Sequence, residues 1–271
     1  MYRAIRAIAN LQRAAEIPLA RQATPDWWRL LSAYVGVGRD TFPFSIRLAT
    51  GPFEFLEASD VPTFWQVFFA QIYQVIPADR LIIDAGANIG AFTLYALLHA
   101  PRAHVVAIEP APDTVERLRR MVQIHGFSDR CTVMPAALAG KLGTTTIQLS
   151  GSSQLRVTGR GGAAVPTVTL DNLVTAYGDI DLLKLDIEGG EYDALPAARA
   201  SALSRIQRIE MEYHPDGDLE GLFRHLARHH FDLELGNYDS CAAGYGMATL
   251  TRREERKRAA VADVSYETVA V

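Results

Sequence analysis

The stretch LIIDAGANIG, residues 81–90, decides the fold class of this chain. Its first five residues are mostly apolar and predict a buried strand, and its glycine-rich turn opens a predicted helix from Asn88 to His99. Outward from it, strands and helices keep alternating. The further predicted strands are HVVAIE (104–109), CTVMPAAL (131–138), DLLKLDI (181–187), RIQRIEMEY (205–213), FDLEL (231–235) and GMATLT (246–251). The further predicted helices lie at about 113–125, after Gly190 and at about 218–230. This alternation predicts a mostly parallel, doubly wound α/β sheet.

The chain divides into three predicted regions. Residues 1–80 form an N-terminal extension with helices at about 2–15 and 62–75 and a hairpin at FSIRLATGPFEFLEA, which turns around Gly51-Pro52. Residues 81–251 form the α/β domain, with an insertion at about 144–170 in which TTTIQLS and VPTVTL flank a loop. Residues 252–271 form a basic tail that begins RREERKR.

Composition and charge exclude several classes of protein. With 271 residues, 49% hydrophobic and 21% charged, the chain has the composition of a globular protein rather than a disordered or collagen-like one. Its net charge of −4 gives no general attraction to nucleic acid, so no nucleic-acid partner is predicted. Cys131 and Cys241 lie far apart and match no metal-ligand or redox spacing.

The hydropathy pattern bears on membranes and location. No stretch reaches the roughly 18 apolar residues that span a bilayer, so no transmembrane segment is predicted. The first 22 residues are amphipathic and lack the continuous apolar core of a signal peptide, which predicts a cytoplasmic protein. Their apolar stripe, Ile5, Ile8 and Leu11, would pack on the protein's own domain, on a membrane surface or on a partner, including a second copy in a homodimer.

The turn Asp-Ala-Gly-Ala-Asn-Ile-Gly at residues 84–90 predicts a ligand without a pyrophosphate. Its glycines, Gly86 and Gly90, flank Asn88 and depart from the G-x-G-x-x-G dinucleotide pattern. The carboxylate of Asp84 disfavours a phosphate and suits a ligand that carries an ammonium group. A purely structural interpretation is a tight turn with Asn88 as the helix N-cap.

Glu109 adds a second part of the same predicted pocket. It ends the next strand, 25 residues after Asp84, and is followed by Pro110; an acid at this place accepts hydrogen bonds from ribose hydroxyls. The turn and Glu109 together describe an adenosine-type ligand, and S-adenosylmethionine fits that description. Phe92 and Thr93, at the start of the predicted helix, would line this pocket or pack in the core.

The stretch LLKLDIEGGE, residues 182–191, places acids after a buried strand. Ligands of open α/β sheets gather beyond the carboxyl ends of the strands. Asp186 and Glu188 therefore fall where chemistry is expected.

Two other charged residues of this stretch have structural explanations. For Lys184, an ion pair with Asp171 or another acid is favoured over catalysis, because an unpaired buried charge is costly. Glu191 either favours the start of a helix electrostatically or takes part in function.

The segment IEMEYHP, residues 209–215, adds Glu212 and His214 on one face of a strand. If this strand neighbours the previous one, both side chains converge with Asp186 and Glu188 above the edge of the sheet. Three carboxylates and an imidazole would bind a hard divalent cation, or position and deprotonate a hydroxyl. The segment contains no compact metal-ligand motif, so the sequence leaves metal binding open.

Four segments, in chain order, carry a family resemblance: DAGANIGAFTL, AIEPAPDTVERL, VTLDNL and LLKLDIEGGEYDAL. In this order they resemble the FkbM family of S-adenosylmethionine-dependent methyltransferases. The preceding FPFSIRLATGPFEFLEASDVPTFWQVFFAQIY resembles the lead-in to that domain, so the resemblance covers roughly residues 42–250. The D-x-G-A-N-x-G turn is generic to methyltransferases, whereas K-x-D-x-E-G-x-E is much more specific to this family.

The resemblance implies a Rossmann-like class I methyltransferase fold of seven strands, the last antiparallel, with residues 81–251 as the S-adenosylmethionine-binding catalytic domain. It implies methyl transfer to a hydroxyl of a sugar, glycolipid or polyketide-type natural product. The residues that would hold the cofactor by motif are Asp84, Gly86, Asn88, Gly90 and Glu109. Those at the reaction centre would be Asp186 and Glu188.

The chemistry of methyl transfer further predicts a base and an acceptor loop. A hydroxyl is a poor nucleophile until its proton begins to leave, so His214 or Asp186 is expected to be the general base. Glu188 and Glu212 would orient that base or a metal ion. The loop at 151–163 is expected to cover or select the acceptor, through Ser152, Ser153 and Arg156.

Two other functions fit parts of the sequence. A nicotinamide-dependent reductase would share the alternating strands and Glu109, but the glycine spacing is wrong for it, and no Tyr precedes any of the three lysines by four residues. A noncatalytic module that binds the cofactor or a partner would also keep the glycine turn. The retained acidic residues argue against such a module.

Overall fold

The central sheet of the protein has seven strands. The structure is a computed structural model that describes residues 15–37, 41–148, 156–157, 162–215, 217–236 and 245–253. Across the sheet the strands lie in the order Phe231–Leu235 (β12), Gly246–Arg252 (β13), Ile206–Tyr213 (β11), Ile180–Leu185 (β10), Leu81–Ala85 (β3), His104–Ile108 (β4) and Cys131–Met134 (β5). The last strand, β13, runs antiparallel to both neighbours, β11 and β12, whereas β11, β10, β3, β4 and β5 pair in parallel. The predicted mostly parallel sheet with an antiparallel last strand is confirmed.

Two smaller sheets flank this one. The strands Phe44–Leu48 (β1) and Gly51–Phe55 (β2) form the predicted hairpin, with Leu48 opposite Gly51. A four-stranded sheet contains Ala137–Leu138 (β6), Ala163–Val168 (β9), Gly143–Gln148 (β7) and Arg156–Val157 (β8), in that order.

The prediction of one strand over CTVMPAAL is wrong. β5 ends at Met134 in the central sheet, and Ala137–Leu138 pairs instead with β9 in the smaller sheet. Pro135 lies between the two pieces, and a proline has no N–H to donate to a strand ladder. The chain therefore leaves one sheet and enters the other at this residue.

The described helices are Ile17–Ala23 (α1), Trp27–Val35 (α2), Asp60–Phe68 (α3), Ala91–His99 (α4), Pro112–Ile124 (α5), Leu170–Tyr177 (α6), Glu191–Ala197 (α7), Ala200–Leu203 (α8) and Leu219–Arg228 (α9). The first two were not predicted, and α3 ends earlier than the expected residue 75. None of these helices combines the length and the apolarity needed to cross a membrane. Residues 2–14 of the helix predicted at about 2–15 lie outside the described residues, as does the basic tail beyond Arg253.

The N-terminal extension covers one face of the central sheet. Its aromatic side chains, among them Phe53, Phe64 and Trp65, form one buried cluster with Ile82 and Leu182 of the sheet. Burial of this apolar surface helps to hold the extension in place, together with the buried ion pair of Asp79 with Arg208 on β11. The division of the chain into three regions stays a prediction.

A row of polar side chains crosses this covered face. Asp84, Lys184, Glu210 and Thr249 are direct cross-strand neighbours on β3, β10, β11 and β13. Lys184 Nζ lies 3.2 Å from Asp84 Oδ1, and Thr249 donates a hydrogen bond of 2.9 Å to Glu210 Oε2. The buried charges of Asp84 and Lys184 thus match each other across adjacent strands, as burial requires, while Glu210 has a neutral hydroxyl as its partner.

Candidate active site

The turn after β3 contains two glycines with left-handed backbone, and at one of them a side chain would meet the backbone at the end of the neighbouring strand β10. Gly86 has φ +75°, and a Cβ there would lie 1.8 Å from the carbonyl oxygen of Asp186. Gly90 has φ +85°, and a Cβ there would lie 2.3 Å from Met121 Cε in α5. These glycines permit a left-handed backbone and hold the turn against β10 and α5.

Asn88 is not the helix N-cap. Helix α4 starts at Ala91 with Gly90 before it, and Asn88 sits inside the turn with φ +48°. Its backbone N–H donates a hydrogen bond of 2.9 Å to Glu109 Oε2. The residue therefore connects the turn to the end of β4.

Glu109 forms one side of a narrow cleft of about 70 Å³. Its Oε1 accepts a second hydrogen bond, of 3.0 Å, from the backbone of Ala111. Burial raises the pKa of Glu109, and the two hydrogen bonds from the backbone oppose that rise. The predicted cofactor residues on the cleft are Gly86, Asn88, Glu109 and Pro110.

Asp84 and Thr93 lie beneath the site rather than on its surface. Both are fully buried, and Thr93 Oγ1 donates a hydrogen bond of 2.6 Å to Asp84 Oδ2. Neither residue lines the cleft or the larger cavity described below. The expectation that Asp84 faces an ammonium group of the ligand is therefore corrected: the cation that Asp84 contacts is Lys184.

Lys184 is bound to the turn itself. Its Nζ donates a hydrogen bond of 2.7 Å to the carbonyl oxygen of Gly86 and lies 4.0 Å from Asp186 Oδ2. Burial favours the neutral amine, but attraction to the two aspartates outweighs it, so the pKa of Lys184 is raised. Asp171, the partner first considered, pairs with Arg199 instead.

Asp186, Glu188 and His214 form what we call the acidic–histidine cluster. One potential ligand atom from each lies within 4.8 Å of the other two. His214 Nε2 is 3.5 Å from Glu188 Oε2, and Glu188 occupies the left-handed region with φ +53°. The parallel pairing of β10 with β11 brings the two halves of the cluster together, as predicted.

Glu191 is a residue of the site for which the sequence left two roles open, a structural one at the start of a helix and a functional one. It is fully buried at the start of α7, and its Oε1 accepts hydrogen bonds from both the backbone N and the Nδ1 of His214, at 3.0 and 2.9 Å. Burial alone would lower the pKa of His214, but Glu191 and the nearby acids raise it. In the sequence, the feature that could have indicated this contact is the position of Glu191 as the last acid of the K-x-D-x-E-G-x-E segment.

Glu212 stands beside the cluster on β11. Burial, reinforced by repulsion from Asp186, raises its pKa to about 7, while the positive charge of His214 opposes the rise. A carboxyl of this kind holds or releases a proton near neutral pH.

A cavity of about 690 Å³ opens in front of the cluster. It shares Gly86, Asn88, Asp186 and Glu188 with the narrow cleft, so the two spaces meet at these residues. Phe92, which was expected in the cofactor pocket, lines this cavity and is not among the lining residues of the cleft. The wall that the sequence did not predict comes from both ends of the chain and includes Tyr34, Thr63, Gln66, Tyr73 and Tyr245.

The predicted acceptor contacts are not placed at this cavity. Ser152 and Ser153 lie outside the described residues. For Arg156 only the backbone is described, in β8 opposite Gln148. Their role stays a prediction.

The strand order, the glycine turn after β3 and the acid at the end of β4 define a Rossmann-like class I methyltransferase. The model of the methyltransferase FkbM domain matches residues 84–238. The chain belongs to the FkbM methyltransferase family.

Known relatives agree with this assignment. The 31-O-demethyl-FK506 methyltransferase FkbM of Streptomyces tacrolimicus is 30% identical over 205 residues, 62% of this chain and 78% of the relative. The hexuronic acid methyltransferase AglP of Haloferax volcanii is 26% identical over 167 residues, 58% of this chain and 65% of the relative. The solved FkbM methyltransferase of Methylobacillus flagellatus has the same fold, with a TM-score of 0.51 and 15% identity over 90% of this chain and 59% of that one.

Proposed function

We propose that the protein transfers a methyl group from S-adenosylmethionine to a hydroxyl oxygen of a sugar or polyketide-type small molecule. One observation carries the proposal: the cleft beside Glu109 and the cavity in front of the acidic–histidine cluster meet at Gly86, Asn88, Asp186 and Glu188. A cofactor in the cleft would therefore present its methyl group to an acceptor in the cavity.

The cleft offers the groups that an adenosine-type cofactor needs. Each Glu109 oxygen accepts one described backbone hydrogen bond and has a second lone pair for a ribose hydroxyl. Asp186 and Glu188 at the mouth of the cleft would favour a sulfonium cation electrostatically. The close packing of Gly86 against the Asp186 carbonyl keeps the turn at the edge of the cleft, where its backbone would meet the cofactor.

The reaction is an in-line displacement at the methyl carbon. The bond from acceptor oxygen to carbon forms while the carbon–sulfur bond breaks, and its electron pair neutralises the sulfonium to give S-adenosylhomocysteine. The hydroxyl proton passes to His214 or Asp186, which both line the cavity, or to water held by the acidic–histidine cluster. Alignment of oxygen, carbon and sulfur supplies much of the acceleration.

The acceptor class rests on the relatives and on the cavity wall. The relatives named above methylate a hexuronic acid and 31-O-demethyl-FK506 by their names. The wall of this cavity combines aromatic rings, such as Tyr34 and Tyr73, with the polar Thr63 and Gln66. Rings and polar groups together suit a hydroxylated ring system.

Calorimetric titration with S-adenosylmethionine and S-adenosylhomocysteine tests the cofactor. Binding by the parent chain and strong weakening in Glu109→Ala are expected, whereas Glu116→Ala, an exposed acid on α5, should bind like the parent. No binding to ligand-free protein would contradict the proposal, and NADH binding in its place would favour a reductase.

Turnover tests the chemistry. With a labelled methyl donor and a panel of sugars and polyketide alcohols, Asp186→Asn and His214→Ala should lower turnover far more than they lower cofactor affinity. Near-normal turnover in both variants would remove the cluster from the reaction. Turnover of no acceptor by a protein that binds the cofactor would favour the noncatalytic module. A homodimer and a cytoplasmic location stay predictions.

A further inference from the structure

We infer that Asp186, Glu188 and His214 bind one divalent metal ion, which holds and polarises the acceptor hydroxyl. The role in catalysis rests on the proposed function, whereas the binding site itself rests on the geometry alone. One oxygen from each acid and one ring nitrogen lie within 4.8 Å of one another, facing the cavity. Such a spacing lets three side chains contact a single ion.

The imidazole is prepared as a ligand. Its Nδ1 is bound to the fully buried carboxylate of Glu191, at 2.9 Å, so the proton of a neutral ring resides on that nitrogen. The lone pair of Nε2 is then directed at the cluster, where the distance of 3.5 Å to Glu188 Oε2 is longer than an ordinary hydrogen bond. A carboxylate behind a histidine is the usual arrangement around ligating imidazoles.

The buried ring of His214 distinguishes this site from a group of acids on the surface. Only 3% of the His214 side chain is exposed, its Nδ1 contacts Glu191, and the ring centroid of Tyr245 lies 5.2 Å from its own. The backbone N–H of His214 is bound by the same Glu191 oxygen. The ring therefore has one orientation, with Nε2 on the side of Asp186 and Glu188.

The balance of charge also favours a cation. The cavity is lined by three carboxylates, Asp186, Glu188 and Glu212, and among the described lining residues the one permanent cation is Lys184. Lys184 is shared between Asp84, 3.2 Å away, and Asp186, whose Oδ2 lies 4.0 Å away, and it also donates to the carbonyl of Gly86. The described lining residues thus include more carboxylates than ammonium groups, and a bound cation would offset part of that difference.

The ligand set indicates the kind of ion. Two carboxylates with one imidazole suit a borderline first-row cation such as Mn²⁺ better than Ca²⁺, which takes oxygen ligands alone. Three protein ligands leave coordination positions for water and for an acceptor oxygen. Polarisation by the ion lowers the pKa of a bound hydroxyl, whose proton leaves to water in the cavity as the methyl group moves from sulfur to oxygen.

Titration of chelator-treated, dialysed full-length protein with MnCl₂ tests the site, with free Mn²⁺ measured by electron paramagnetic resonance. One Mn²⁺ per chain is expected. Asp186→Asn and Glu188→Gln should each weaken that binding about tenfold or more. Glu210→Gln, which changes a buried acid of β11 outside the cluster, should bind Mn²⁺ like the parent.

Two further measurements, of cofactor affinity and of turnover, separate this inference from the proposed function. Chelated protein should keep its affinity for S-adenosylhomocysteine but lose about tenfold or more of its turnover, which added Mn²⁺ restores. Full turnover after chelation would overturn the catalytic role of the ion while leaving the methyltransferase proposal intact. Equal Mn²⁺ binding by the parent, Asp186→Asn and Glu188→Gln, or no binding at millimolar Mn²⁺, would overturn the site itself. Loss of cofactor binding with Mn²⁺ still bound would contradict the proposed function alone.

Discussion

Glu191 Oε1 accepts two hydrogen bonds from His214, one from its backbone nitrogen and one from its ring nitrogen Nδ1. The other oxygen, Oε2, accepts a hydrogen bond of 3.0 Å from the backbone of Gly189. A single buried carboxylate thus fixes the end of β11, the histidine ring and the loop before α7. Glu191 is a positioning residue, because it acts on the acceptor space through His214.

Glu191→Gln should lower turnover about 10–100-fold while cofactor affinity stays near that of the parent. The amide keeps the volume but removes the negative charge, and its NH₂ group cannot accept the hydrogen bond from Gly189. Steady-state kinetics together with calorimetry of S-adenosylhomocysteine provide the check. A parallel loss of cofactor affinity would instead indicate a general collapse of the site.

The same variant should change the pH dependence of stability in metal-free protein. The raised pKa of His214 means that its protonated form stabilises the fold below the ordinary histidine value of 6.5, and that this stability is lost as the pH rises through the raised value. In Glu191→Gln this loss should be smaller and should occur at lower pH. Denaturant unfolding across this range measures the difference, and NMR titration of the His214 ring gives its pKa directly.

Lys184→Met should destabilise the fold by about 3–5 kcal/mol, because it leaves the buried charge of Asp84 without its cation. Adding Asp84→Asn should recover part of that loss, since the amide has no charge to neutralise. Urea unfolding of the single and double variants measures both effects. Lys141→Met, at an exposed lysine, is the control and should change the free energy of unfolding by less than about 0.5 kcal/mol.

Gly86→Ala and Gly126→Ala form a matched pair, because both glycines have φ +75°. Each alanine costs about 1–2 kcal/mol for its left-handed backbone. A Cβ at Gly126 has no neighbour within 4 Å, whereas at Gly86 it meets the backbone oxygen of Asp186. Gly86→Ala should therefore be the less stable variant and should also weaken S-adenosylhomocysteine binding, as thermal melts and calorimetry would show. Equal behaviour of the two would contradict the close packing of the turn.

Glu210→Gln should become more stable relative to the parent as the pH rises. Burial raises the pKa of Glu210 to about 7, against 4.5 for an ordinary glutamate, and the hydrogen bond from Thr249 opposes the rise. Between these values the unfolded carboxyl is ionised while the folded one keeps its proton, so the parent loses stability, by about 3 kcal/mol in total. Unfolding measured near pH 4.5 and near pH 8 tests this, with the exposed Glu54→Gln as the control showing little change.

Much of the α/β domain could be predicted because its signals are local. The strands β3, β4 and β10 are short, mostly apolar runs between turns. β12 has the predicted boundaries, while β10, β11 and β13 differ from them by one or two residues. The meeting of Asp186 with His214 followed from one assumption, that β10 and β11 are neighbours. The parallel pairing made that assumption correct.

The rest depended on contacts between distant parts of the chain. The partner of Lys184 is Asp84, 100 residues earlier, and nothing local to Lys184 distinguishes it from Asp171. The cavity wall from Tyr34 to Tyr73 exists because the N-terminal extension packs on the sheet. The sequence allows Asn88 as the helix N-cap, but the helix begins only at Ala91 because Asn88 and Gly90 have left-handed backbone.

The polar row across β3, β10, β11 and β13 also disfavours shifts in the register of the strands. Successive residues of a strand point to opposite sides, so a shift of β10 by one residue would turn Lys184 away from Asp84 and into the apolar layer that contains Leu183 and Leu185. An unpaired ammonium group in that layer is far more costly than a misplaced leucine. A misaligned pairing of β3 with β10 is thereby penalised, and the ion pair of Asp84 with Lys184 favours the one alignment that assembles the site.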